Sequence, residues 1–469
     1  MGYDRSSRMT GLPDDWIPLD RELPTIIRTL RKPAGDDPRF VSLGRINENF
    51  KAFAEAVHST WKQLHNRSLD DILTIEKVLA SVRHETVPEG LVWYLERTIA
   101  LWRRINDAIV WSLVREQDHV IRTVCHRKDR IRLTDANPTA VRKLLDQVNA
   151  DPQSIAIWSD ATSCVDVGDV VCRSFSGGLN GFFEVKSGAM NDKISELLKV
   201  KGGVEDKISA ISDFGDKYGP KAVKQLERFL KQRQKYGQVM KIIDHDRGYH
   251  PRHKAEVIIQ ETETQLKSYD EDLQLTIDAS TQGPVVKCID RCLWVYVSRD
   301  SSKTPDEKIL DFERELSAAS PSTLRWYKAQ FGGDEPFRVA VLDDNLTCPE
   351  AIPLFLRHLE PETIREVLIG NLMYSVFLFV DWCELGRIIT ESGAELSWSS
   401  RKHGRAQQSK PRLQRSLTFG NRIPRVQLGE RYWEGFSKIY RVLYEGITPS
   451  SIAAQYVEAL KTDPIPARS

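Results

Sequence analysis

Apolar residues along the chain follow two periods, and the switches between them mark the elements. Phe50, Phe53, Ala54, Val57 and Trp61 recur at the spacing of one helix face. Leu69, Ile72, Leu73 and Ile75 predict a second helix, with Ser68 as its N-cap. Pro88 opens a long helix to about Val114, with Val92, Leu95, Ile99, Trp102, Ile105 and Ile109 on one face. HVIRTVC (119–125) reads as a strand. Asn137-Pro138 opens a helix to about Val148. SIAIW (154–158), VDVGDVVCR (165–173) and FFEVK (182–186) read as three strands, the last two joined by the turn-forming SFSGGLNG. Two helices follow, the second strongly amphipathic over 219–243. VKCIDRCLWVYVS (286–298) and FRVAVLDD (337–344) read as later strands, and the remainder as helix apart from a basic loop.

This order predicts an α/β fold with helical additions at both ends. At 469 residues the chain is long enough for two or three domains. The pattern divides it into a helical region 1–87, an α/β core 88–345 with helical insertions, and a helical region 346–469 carrying the basic loop 396–429.

The segment GDVVCRSFSGGLNGFFEVKSG (168–188) departs from ordinary strand chemistry. It places Asp169, Glu184 and Lys186 within apolar alternation, where an unused charge is costly. Glu184 and Lys186 share one face of their strand. A hairpin register that pairs Val170 with Phe183 and Cys172 with Gly181 puts Val170, Cys172, Phe183 and Val185 on an apolar face. The same register brings Asp169 diagonal or opposite to Glu184 on the other face, and a slip of one residue would undo it. Two adjacent carboxylates call for a positive partner. Their hard oxygens suit Mg²⁺ or Mn²⁺, and a lysine beside such a site suits phosphodiester hydrolysis.

The segment resembles the restriction-endonuclease-like, or PD-(D/E)xK, nuclease superfamily. The pattern is an acid on one strand, Glu-x-Lys on the next, a helix before and a helix after. Asp169 matches the first acid, Glu184 the second and Lys186 the lysine. Gly168 stands where the motif has Pro. The resemblance covers roughly 88–298 and implies a restriction-endonuclease-like mixed sheet flanked by helices. It also implies a metal held by Asp169, Glu184 and the Val185 carbonyl, and an activity in restriction, repair or antiviral defence. Chance matches to the motif occur elsewhere in the chain, at Glu205-Asp206-Lys207 and at the literal PDEK of Pro305–Lys308. Both lie in polar, helix-like surroundings and lack the apolar alternation.

Some members of the superfamily carry another acid on the preceding helix. Glu96 and Asp107 are the candidates, and Asp107 is preferred because it interrupts an apolar stretch; its alternative is an ion pair with Arg103 or Arg104. Others carry Gln-x-x-x-Tyr on the following helix, a spacing met by Gln232 and Tyr236, with Gln225 as rival. That helix is also basic, which suits either a phosphate track or a solvated face.

The formal net charge is only +1, yet Leu396 to Gly429 holds eight basic residues and no acid. A uniformly basic coat is therefore excluded, and a local patch is present. Arg401, Lys402, Arg405, Lys410, Arg412 and Arg415 are its candidate nucleic-acid contacts, with Trp398 and Phe419 interleaved for stacking. The partner expected is nucleic acid, with DNA favoured. DHDRGYHPRH (244–253) carries three histidines at a spacing that a transition metal could use. Seven cysteines without a CxxC read as mostly buried cytosolic thiols. The first residues have no apolar core of a signal peptide, and the longest apolar run (372–380) is too short to span a membrane, so the expected location is cytoplasmic. The alternative to an enzyme is a decayed nuclease scaffold that binds nucleic acid or serves as an interaction subunit.

Overall fold

The computed structural model describes residues 18–31, 50–82, 89–114, 118–125, 132–135, 138–175, 178–183, 189–198, 204–250, 255–259, 263–331, 339–369, 374–408, 421–434 and 438–462. Helices and antiparallel sheets mix along the chain, an α/β class in the coarse sense. The chain divides into two compact units. A central unit comprises Phe50–Thr86 and Ile109–Ile259, and a terminal unit comprises Met1–Asn49, Val87–Ala108 and Gln260–Ser469. These boundaries differ from the ones that the hydropathy pattern sets at 87 and 345.

In the central unit, Phe50–Val82 is one continuous helix of 33 residues. Ser68 is not an N-cap: its hydroxyl donates to the His65 carbonyl, an i−3 bond that leaves the helix running. HVIRTVC is also helical, over Asp118–Val124. Val120, Ile121, Val124 and Cys125 are buried, so packing overrides the strand preference of the β-branched residues. The helix Pro138–Val148 follows as expected.

Three strands come next: β1 (Ser154–Trp158), β2 (Val170–Ser174) and β3 (Gly178–Phe183). They form an antiparallel meander in the order β1-β2-β3. β1 pairs Ile155 with Arg173 and Trp158 with Val170. β2 pairs Val170 with Phe183 and Cys172 with Gly181, with an irregularity after Cys172. The helices Ala189–Leu197 and Val204–His245 follow, the second bent at Gly219. A two-stranded ladder of β4 (Arg247–His250) and β5 (Ala255–Ile258) closes the unit.

The terminal unit carries a four-stranded antiparallel sheet in the order β6-β7-β9-β8. Its strands are β6 (Val285–Ile289), β7 (Leu293–Ser298), β8 (Ala340–Val341) and β9 (Ser375–Val380). The expected single strand over 286–298 is in fact a hairpin. Its turn is the three residues Asp290, Arg291 and Cys292 between the paired Ile289 and Leu293, and Asp290 and Arg291 both have positive φ (47° and 67°). β9 is buried at every position. A second sheet of this unit joins β10 (Glu395–Trp398), β11 (Pro424–Leu428) and β12 (Arg431–Glu434). The region after 346 is therefore not simply helical. Its apolar run SVFLFV is a central strand, and a short continuous apolar run reads alike for a buried strand or helix. All described strand pairs are antiparallel, so the mixed pairing expected of the core does not occur among the described residues.

Candidate active site

Asp169 immediately precedes β2 and is pinned through its main chain. Its N–H donates to the Phe183 carbonyl at 2.7 Å, and its own carbonyl accepts from Ser159 N–H at 2.8 Å. The acid therefore sits between the end of β1 and the end of β3, with its residue only partly exposed. The approach to it is fixed on both sides. The Thr162 hydroxyl donates to the Ser159 carbonyl at 2.6 Å and accepts from Val165 N–H at 3.2 Å. Asp166 N–H donates to the Val124 carbonyl at 3.2 Å.

Gly168 takes a backbone conformation closed to proline, the residue that the resemblance leads one to expect there. Its φ is 73°, and a Cβ there would lie 3.1 Å from both Phe182 Cβ and the Phe183 carbonyl oxygen. Proline holds φ near −65° and cannot take this conformation. The sequence signals the departure but not its cause. Gly168→Ala should destabilise the fold by about 1–3 kcal/mol, measured as a shift in the urea midpoint with an unchanged slope.

The pairing of Val170 with Phe183 and Cys172 with Gly181 is the register expected from the sequence. The expected apolar face is not so clean. Phe183 is 44% exposed, whereas Phe182 is buried, as are Val170, Val171 and Cys172 together. Alternation identifies an inward face only where the other face is solvated. β1 and the first part of β2 are buried on both, so apolar residues there carry no information about which face is inward.

Glu184, Val185 and Lys186 lie outside the described residues. So do Lys410, Arg412, Arg415 and Phe419 of the basic stretch, and His253 of the histidine cluster. His250 is described, and it is buried with Nε2 3.0 Å from the Thr123 carbonyl. Among the described residues there is no group of three or more His, Cys, Asp or Glu side chains placed to hold a metal.

The helix after the meander reaches the same hairpin. The Tyr236 phenol is hydrogen-bonded to the main chain at Phe182, and burial pushes its pKa up. A Cβ on Gly181 would lie 2.9 Å from that phenol oxygen, so the glycine makes room for it. Of the Gln232–Tyr236 pair, the tyrosine touches β3; Gln232 is exposed on the helix surface. Ser159 joins the site without any sequence signal to distinguish it from other serines at strand ends. It lies across from Asp169, and its buried hydroxyl has no hydrogen-bond partner among the described atoms.

Asp107 belongs to the terminal unit and has a different occupation. It is fully buried and accepts from Arg104 Nη1 at 2.9 Å. The ion-pair alternative is the one realised, though in the core and not on a solvated face. Glu96 is exposed.

The described part of the basic stretch holds strand and helix, not only loop. Arg401, Lys402 and Arg405 are exposed on the helix Arg401–Gln408. Arg425 lies over the Tyr432 ring at 5.2 Å. Trp398 packs edge-on against Trp382 at 5.3 Å between ring centres and is a packing residue, not a free stacking platform. None of the seven cysteines is in a disulfide. Among the described residues, no helix is long and apolar enough to cross a membrane. No family model, curated protein or solved structure matches this chain.

Proposed function

We propose that the protein is a metal-dependent endonuclease that hydrolyses phosphodiester bonds, in DNA by preference, and that the central unit is its restriction-endonuclease-like element. The observation that carries this reading is the β2–β3 register. At that end of the hairpin Asp169 N–H donates to the Phe183 carbonyl, so the acid lies beside the residue that precedes Glu184 in the chain, and an extended Glu184-Val185-Lys186 would put Glu184 and Lys186 on one face. The order of elements supports it too: a helix, a three-strand meander with the acid at the start of β2, then helices. The donor set, two carboxylates and the Val185 carbonyl, is all hard oxygen and fits Mg²⁺ or Mn²⁺. Such an ion supplies Lewis acidity at a phosphodiester and a more acidic water. The chain's own part is to hold and charge the site. Asp169 is fixed by its main-chain bonds to Ser159 and Phe183. Lys186 offsets the negative charge that builds on the phosphorus oxygens and orients the attacking water.

The test is a cleavage assay of the full chain with Mg²⁺ or Mn²⁺ on single- and double-stranded DNA and RNA. Cleavage of DNA that chelation stops supports the reading. Binding without cleavage in either metal would favour the decayed scaffold. The basic helix Arg401–Gln408 is assigned to the nucleic-acid backbone. Neutralising Arg401, Lys402 and Arg405 together should weaken binding to all sequences alike. It should also flatten the dependence of log affinity on log salt by up to about 0.9 for each phosphate no longer neutralised, read by fluorescence anisotropy across a salt series.

A further inference from the structure

The helix that seats Tyr236 against β3 carries a row of cations that the fold does not use. Lys221, Lys224, Arg228, Lys231 and Lys235 follow one another at steps of three and four, which aligns them on one face. All five are exposed. None forms an ion pair among the described residues. Several cations elsewhere on the surface do. Arg142 pairs with Asp70, Lys287 with Asp272, Lys303 with Asp311 and Lys328 with Glu313. Like charges at these spacings repel and weaken a helix. Two acids lie on this part of the helix, Glu227 and Asp244. Glu227 is at the flank of the row, and Asp244 is on the opposite side of the helix.

The row also has a definite position relative to the candidate site. Lys235 neighbours Tyr236, whose phenol is hydrogen-bonded to the main chain at Phe182, two residues before Glu184. From Lys235 the row runs back to Lys221 over 14 residues, a rise of about 21 Å. One strand of a duplex carries a phosphate for roughly every 3.4 Å of axis, so this length matches a run of about six.

We infer that the Lys221–Lys235 row is a phosphate track that leads a nucleic-acid backbone to Asp169, Glu184 and Lys186. This inference rests on the nuclease reading for the destination of the track, but its binding surface is separate from the charges that act on the scissile bond. The track runs from the site in one direction only, so the footprint is lopsided: the substrate extends past the cut on one side by several nucleotides.

The experiment uses the full chain in chelator, so that binding is read without cleavage. Affinity for a 30-base-pair DNA is measured against salt for the wild type and two variants. One is Lys221→Gln/Lys224→Gln/Arg228→Gln, at the end of the row far from Tyr236. The other is Arg233→Gln/Lys241→Gln, two cations of the same helix that lie off the row. The on-row variant is expected to lower the steepness of the log–log salt plot by about two to three. The off-row variant should leave it close to wild type. With Mg²⁺, the wild type should cleave the long duplex faster than one too short to reach the changed residues, and the on-row variant should lose that advantage. An unchanged salt slope in the on-row variant overturns the track, as does an equal loss in both variants. Binding of the wild type to anionic phospholipid vesicles but to no nucleic acid overturns it too. A track-dependent slope without cleavage in any metal keeps the track and defeats the nuclease reading. Cleavage with an unchanged slope does the reverse.

Discussion

Lys186→Ala is expected to lower metal-dependent DNA cleavage at least about a hundredfold, the scale of losing one group that meets charge developing in a transition state. DNA affinity in chelator should change little. The lysine's strongest interaction is with charge that exists only as the bond breaks, so its removal affects rate more than binding. Lys186→Arg should not restore activity, because a planar guanidinium replaces a compact ammonium. Single-turnover cleavage alongside anisotropy binding checks this. A variant that cleaves as fast as the wild type would exclude Lys186 from the reaction.

Asp107→Ala is expected to cost about 3–5 kcal/mol of stability, because it strands a buried guanidinium. Arg104 and Asp107 have side chains 1% and 0% exposed. Arg104 also donates to Asn345 Oδ1 at 3.0 Å and to the Ala351 carbonyl at 3.1 Å. Asn345 in turn bonds the Ile352 and Tyr444 carbonyls and accepts from Leu354 N–H. The pair thus ties residues 104–107 of the helix Glu89–Leu113 to the segment Leu342–Thr347, both of them in the terminal unit. Replacing both members by apolar residues of similar volume should cost far less than removing one. Chemical denaturation measures the change, and the activity of the folded fraction at low temperature should stay within about twofold of wild type. A stable but inactive Asp107→Asn would instead place this acid in the chemistry.

Where local signals agree, the sequence is legible. SIAIW forms β1 at the expected residues, and the expected helix runs over Pro138–Val148. The β2–β3 register can be read because only one pairing sorts the charges from Val170 and Cys172. Elsewhere the same reasoning lacks information. SVFLFV has no period to read, and HVIRTVC is too short for strand propensity to outweigh burial. The turn at Asp290–Cys292 contains no Gly, Asn or Pro to mark it, so two strands look like one. Asp107 interrupts apolar residues whether it is catalytic or paired, and pattern cannot separate those cases. Alternation assigns Phe183 inward by treating the hairpin as one-sided, whereas its neighbours in β1 and β2 are covered on both faces.

A carboxylate pair sharing one ion is the centre of the proposed chemistry, and Mn²⁺ binding by the full chain without DNA tests it most directly. Calorimetric titration should find a site in the wild type that Asp169→Asn weakens and Glu184→Gln weakens to a similar degree, while Glu205→Gln leaves it intact. Mn²⁺ affinity that neither Asp169→Asn nor Glu184→Gln alters would contradict it.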